Sequence, residues 1–290
     1  MPTVDAHIDV PWQFQKHGPF DLRDHPTTAV DFKRMKEGDL HGIICALYLS
    51  DKMQDELGPE ASAAAIDRQI NWIRLQTIPK PTVYLGLEGG RLIPDIARLR
   101  WLAEAGIRYL TITHNRNTHW ADSATDKPYH RGLTRFGFDV CAEAIELGVL
   151  LDISHASDET AEDVLYVAAQ EVPVIASHSG CRAVLDHPRN ISDHLMRMVA
   201  DSGGVIHIPF ARRFVGTFDG VIDHIEHVMM VTGSYEYVGI GSDLDGAAMV
   251  EGLEDVSKWS RVGNALAKRG YGDDVIAAIT GRNTLRLLER

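Results

Sequence analysis

Four apolar runs in this chain close on side chains that can ligate a metal: Val4-Asp5-Ala6-His7-Ile8-Asp9, Leu85-Gly86-Leu87-Glu88, Leu151-Asp152-Ile153-Ser154-His155 and Val174-Ile175-Ala176-Ser177-His178. Carboxylates and imidazoles on buried strands are costly unless something pairs with them. On a strand, residues i and i+2 point to one face, so His7 and Asp9 can grip one ion together, although an HxD pair alone also reads as a hydrogen-bonded core pair. Glu88 precedes Gly89 and Gly90, which let backbone or metal approach closely, but by itself it also reads as a cap or a solvated turn carboxylate. The two consecutive runs that each end in Ser-His are harder to dismiss. Three imidazoles and two carboxylates exceed the three or four protein ligands that one zinc requires. Two metals sharing Glu88 would use all five, in an arrangement that activates a water and holds a carbonyl or phosphoryl oxygen.

Two further candidates are left free for substrate and protons: His114 in Leu-Thr-Ile-Thr-His-Asn and Asp243 in Gly-Ile-Gly-Ser-Asp-Leu-Asp-Gly. His207, inside an apolar run, reads as a satisfied core histidine. His119, His130, His187, His194, His224 and His227 fall on expected loops or helices, where exposure is the default. Asp245 reads as a residue that orders the loop around Gly246. No lysine ends a strand, which removes hydrolases that bridge their metals with a carbamylated lysine. A GxSxG elbow, a P-loop and a nucleophilic cysteine setting are also missing.

Side chains separated by about 170 positions meet only if one sheet carries them. Eight short apolar runs read as buried parallel strands: 3 to 9, 42 to 49, 82 to 88, 109 to 114, 150 to 155, 174 to 179, 204 to 210 and 237 to 243. Most are separated by amphipathic helical stretches, the βα alternation of a parallel sheet. Gly58-Pro59 predicts a helix running to about Gln76, Pro94 one that stops at Gly106, and Ser157-Asp158-Glu159 a capped start. Gly148 ends the helix before the fifth strand, and a last helix is expected over Asn283 to Arg290. The longest irregular stretches, roughly 11 to 27, 115 to 133, 180 to 192 and 243 to 256, each follow a strand's carboxyl end, where barrel enzymes place substrate loops. With no GxGxxG fingerprint, the expectation is one TIM-like (β/α)8 barrel domain over residues 1–290, with the metal site at the C-terminal ends of the strands.

Composition agrees. The 290 residues, 44% hydrophobic, suffice for one barrel and its large core. A net charge of −12 repels phosphate backbones and anionic lipid, so neither nucleic acid nor a membrane is an expected partner. Cys45, Cys141 and Cys181 form neither a disulfide framework nor a CxxC pair. The chain enters its first strand by about Thr3 without a leader-like segment, and no run reaches the roughly 20 apolar residues that span a bilayer. A soluble, cytoplasmic protein is expected.

These motifs resemble the membrane (renal) dipeptidase family of binuclear zinc peptidases. The match runs in order through Asp5 to Trp12, Glu88-Gly89-Gly90, Leu110 to Asn115, Asn117-Thr118, Trp120-Ala121-Asp122 and Gly132 to Gly137. It continues through Leu151 to Ser157, Val174 to Ser179, Arg189-Asn190, Gly241 to Gly246 and Gly252 to Ser257. The resemblance implies two Zn2+ per chain, His7 and Asp9 on one, His155 and His178 on the other, and Glu88 bridging. It implies oxyanion stabilisation by His114, recognition of the substrate's terminal carboxylate by Arg189 and proton transfer by Asp243. A metal-bridging hydroxide would then attack the peptide bond of a small dipeptide. The resemblance further implies tolerance of a D-residue at the C-terminal position and a homodimer. Set against secreted members, the chain is expected to carry no disulfides, signal peptide or anchor, and it departs from them in the short basic stretch Ala211-Arg212-Arg213-Phe214. Two alternatives stay open: a related binuclear metallohydrolase acting on another amide, a lactone or an ester, and a non-catalytic metal-binding protein.

Overall fold

The computed structural model describes residues 2–76, 82–169 and 172–289. Eight parallel strands pair in chain order: β1 (Val4–Ile8), β2 (Gly42–Leu47), β3 (Thr82–Glu88), β4 (Ile107–Thr111), β5 (Leu150–Asp152), β6 (Val174–Ala176), β7 (Val205–Ile208) and β8 (Val238–Ile240). Their short Val/Ile/Leu-rich sequences suit strands covered on both faces, by the barrel interior on one side and by helices on the other. The ring closes where Ile8 bridges Leu244 in parallel. There Asp9 N–H donates to the Leu244 carbonyl at 2.9 Å and Asp243 N–H to that of His7 at 3.0 Å. The expected (β/α)8 TIM-like barrel is the fold.

Several helix starts follow side-chain caps. Ser157 accepts from Thr160 N–H at the head of Asp158–Ala168, with Asp158 and Glu159 in the first turn against the positive end of the helix dipole. Asp95, not Pro94, caps Ile96–Glu104. Ser50 caps Asp51–Leu75, so that helix begins eight residues before the expected Pro59. Gly58, at φ 74, breaks it internally, and Pro59 opens its second part where a missing N–H costs nothing.

Three differences from the sequence reading matter for the site. The stretch 11 to 27, expected as irregular, opens with the helix Val10–His17, whose first turn accommodates Pro11. The short basic stretch after β7 forms the single-turn helix Arg212–Val215. Several strands are shorter than their apolar runs: β4, β5, β6 and β8 stop at Thr111, Asp152, Ala176 and Ile240, so His114, His155, His178 and Asp243 lie on the turns that follow. The apolar pattern continues past the ladder because those turns are themselves buried. The final helix is Asn283–Leu288, and the expected end at Arg290 lies outside the described residues.

Candidate metal centre

His7 and Glu88 sit on strands, Asp9 one residue past β1, and His155 and His178 on the turns after β5 and β6. All five are buried, none more than 4% exposed. Glu88 stands between the imidazoles with its two oxygens divided. Oε2 faces His7 Nε2 at 3.7 Å, while Oε1 faces His155 Nε2 at 3.1 Å and His178 Nε2 at 3.5 Å. Asp9 Oδ2 lies 3.5 Å from His7 Nε2 on the other side. Donor atoms that could hold a metal gather in three overlapping groups: His7, Glu88 and His178; Glu88, His114 and His155; His7, Asp9 and Asp243. The five expected ligands are therefore brought together, with His114 and Asp243 among them.

Two features fit this donor set to a cation. His7 Nε2 is buried without a hydrogen-bond partner among the described residues, and the Nε2 atoms of His155 and His178 face each other at 2.9 Å. Burial pushes His155 and His178 well below the usual histidine range, with Arg189 and the neighbouring imidazoles adding to it, so their ring nitrogens offer lone pairs. Burial also works to lower His7, yet the Glu88 and Asp9 carboxylates override it and hold it up at about 10. The same carboxylates that would retain a proton there would retain a metal.

The rings are aimed from behind. Tyr109 Oη lies 2.8 Å from His7 Nδ1, and accepting a hydrogen bond from Nδ1–H leaves Nε2 as the nitrogen that faces the carboxylates. Tyr109 reaches this position because Gly86 has no Cβ; one built there would collide with its ring. Ser177 Oγ lies 2.8 Å from His178 Nδ1 and donates to Asp152 Oδ2 at 2.6 Å, which orients His178 in the same way.

Asp152 is buried and takes four donors: Ser154 N at 3.0 Å and Ser177 N at 2.8 Å on Oδ1, Thr111 Oγ1 and Ser177 Oγ at 2.6 Å each on Oδ2. It thereby fixes the ends of β4, β5 and β6. Asp5 repeats the device at the barrel seam, where its Oδ1 accepts from His7 N at 3.1 Å and Ser242 N at 2.9 Å and its Oδ2 accepts from Trp259 Nε1 at 2.9 Å. In both cases the carboxylate binds the N–H of the residue just before a site residue, Asp243 or His178. Neither role was apparent in the sequence, although both aspartates sit in the quoted motifs as unexplained polar residues in apolar runs. Asp152→Asn sets an amide donor against hydroxyl and backbone donors, and should lower metal affinity about 10- to 100-fold. Chelator competition against the wild type measures this; unchanged affinity would show that the turns hold without it.

Backbone strain marks the same place. His155, Asp243 and Asp245 adopt φ of 68°, 64° and 70°, which is uncommon for residues with a Cβ and persists where surrounding structure enforces it. Gly246 packs its backbone against the Asp9 and Asp243 carboxylates, leaving no room for a Cβ. Burial pushes the Asp243 carboxyl well above the usual range, and nearby Asp9 pushes it further. His114 is partly buried, with Nε2 3.9 Å from Glu88 and Nδ1 3.7 Å from Asp51 and 3.4 Å from Tyr48 Oη. Asp51 and Tyr48 were not foreseen; no spacing connects them to His114. Arg189 is 3% exposed, with Nη2 3.4 Å from the His178 carbonyl and Nε without a hydrogen-bond partner among the described residues. Burial lowers it to about 10, although Asp243 and Glu88 favour its charge.

Among the remaining histidines, His207 is satisfied in the core by the Ala176 carbonyl and Thr284 Oγ1. His224, expected exposed, is fully buried, its Nδ1 accepting from Cys181 N at 2.8 Å; the helix Phe218–Thr232 turns that face inward. His119 and His194 are exposed. Asp245 accepts from Ala29 N at 2.8 Å and its carbonyl from Gln13 Nε2 at 2.7 Å, so it orders the loop as expected.

The model of the membrane dipeptidase family, peptidase family M19, matches residues 1–80 and 71–290. The chain belongs to the membrane dipeptidase family. It is a metallo-dipeptidase. Family relatives include an uncharacterised dipeptidase of Schizosaccharomyces pombe, 31% identical over 99% of this chain and 80% of the relative. Dipeptidase verJ of Clonostachys rogersoniana is 31% identical over all of this chain and 84% of its own length. A metallopeptidase of Rhodobacter sphaeroides, solved with a phosphinate mimic of L-Ala-D-Ala, superposes with a TM-score of 0.85 at 23% identity, covering 100% of this chain and 99% of that one, and shows the shared fold.

Proposed function

We propose that this family member hydrolyses free dipeptides with two zinc ions per chain, held by His7 and Asp9, by His155 and His178, and by Glu88 between them. The observation that carries this reading is the division of Glu88, one oxygen toward His7 and the other toward His155 and His178. When bound, the metals supply Lewis acidity toward the scissile carbonyl and make water a nucleophile near neutral pH.

The chain's own groups do the rest. Asp243, desolvated and facing the same centre, takes the proton of the attacking water and delivers it to the leaving amine. His114, backed by Asp51 and Tyr48, steadies the oxyanion. The Arg189 fork, with a free Nε, pairs with the C-terminal carboxylate of the substrate. The mimic bound to the Rhodobacter sphaeroides relative supports extending the substrate range to dipeptides ending in a D-residue.

The whole chain 1–290 acts as one barrel domain. A homodimer is proposed from the family resemblance, and a cytoplasmic location from the three buried free cysteines; no helix among the described residues is long and apolar enough to cross a membrane. The test is a parallel assay of the zinc-loaded protein on L,L and L,D dipeptides, N-blocked amino acids, lactones and phosphotriesters. Turnover is expected on free dipeptides. Preference for a lactone or phosphotriester would instead favour a related binuclear hydrolase, and no turnover on any of them a metal-binding role.

A further inference from the structure

Beside the metal centre, the single-turn helix Arg212–Val215 and the loop carrying Arg189 meet on one ring. Phe214 is buried, and two guanidinium groups approach it, Arg189 at 5.1 Å and Arg213 at 4.5 Å from the ring centre, with the His187 ring edge-on at 5.1 Å. Two arginines on other loops of this face are paired with acids, Arg182 with Asp158 and Arg91 with Asp51 and Asp55. Arg213 is exposed, and no carboxylate among the described residues pairs with it.

Its charge reaches inward all the same, acting on Arg189, His178 and His187. Two like charges on one ring repel, and cation–π attraction to Phe214 offsets only part of that. In a chain of net charge −12, Arg213 is a cation with no paired acid among the described residues, beside an Arg189 whose charge Asp243 and Glu88 favour, and a second anionic group on the ligand would neutralise it.

Resting on the dipeptidase reading above, we propose that Arg213 is a specificity-determining residue that selects dipeptides whose C-terminal residue carries a second carboxylate, an aspartyl or glutamyl side chain. With the main-chain carboxylate on Arg189, the side chain of that same residue is the part of the substrate nearest the second guanidinium. A neutral isostere, asparagine or glutamine, fills the same space without the charge, so the two differ by one negative charge, and the Arg213→Gln variant isolates the part that Arg213 contributes. Because Arg213 is exposed, the preference weakens with salt.

The experiment measures kcat/KM for Ala-Asp against Ala-Asn and Ala-Glu against Ala-Gln, each with L and D C-terminal residues, for the metal-loaded wild type, Arg213→Gln and Arg212→Gln. The wild type should favour the acid about tenfold, mostly through KM, with the ratio shrinking as ionic strength rises. Arg213→Gln should bring the ratio to about one. Arg212→Gln, which removes an adjacent charge whose guanidinium bonds the Met249 carbonyl, should leave the ratio standing. A wild-type ratio near one, or an Arg213→Gln variant that keeps the preference, overturns the inference while leaving the dipeptidase reading intact. Failure to cleave any dipeptide overturns both.

Discussion

Asp243→Asn should keep its metals and lose its turnover, with kcat falling by roughly 10²-fold or more. Asp243 lies 6% exposed against Asp9, on a turn whose backbone is anchored to β1 by its own N–H and to Asp5 through Ser242. The amide keeps the size and the backbone contacts but can neither take a proton nor return one. Glu88→Gln provides the contrast, because it changes the residue that faces the imidazoles on both sides, and it should lose metal first and activity as a consequence. Metal content by elemental analysis, measured beside kcat for both variants, separates the two. If Asp243→Asn shed its metals while keeping its turnover per remaining metal, the assigned roles would be reversed.

Arg189→Ala should cost roughly 2 to 4 kcal/mol in kcat/KM on free dipeptides, from a desolvated charge pair left open. Its guanidinium is buried, with a long contact to the His178 carbonyl and the face of Phe214 beside it, and Nε has no hydrogen-bond partner among the described residues. Dipeptide amides, lacking the carboxylate, should be poor substrates of the wild type and lose little more in the variant. A cycle of two enzymes and two substrates reads this directly. Equal fractional losses on acid and amide would mean that Arg189 supports its loop instead of reading the substrate.

The barrel was legible because its signals are local: short β-branched runs, capped helices and glycines at helix ends survive in the linear sequence. The gathering of His7, Asp9, Glu88, His155 and His178 was legible for a related reason, since strand ends of one barrel open on one face. What escaped is what has no local signature. Ser50 outranked Gly58-Pro59 as a helix start because a cap acts on three following residues while the proline only resumes a helix already begun. His224 is buried because of what its helix packs on, which its own neighbours do not show. Tyr109 behind His7, Asp51 and Tyr48 behind His114, and the Thr111 and Ser177 donors on Asp152 are contacts between residues 25 to 102 positions apart.

In the proposed function one buried carboxylate, Glu88, joins two metal positions that act as a unit on a dipeptide. That arrangement is tested most directly by titrating Zn2+ into metal-stripped protein while following dipeptide hydrolysis. Activity should rise with added zinc and level off at two equivalents per chain, since five ligands overfill a single tetrahedral site. Full activity at one equivalent, or none at any, would contradict it.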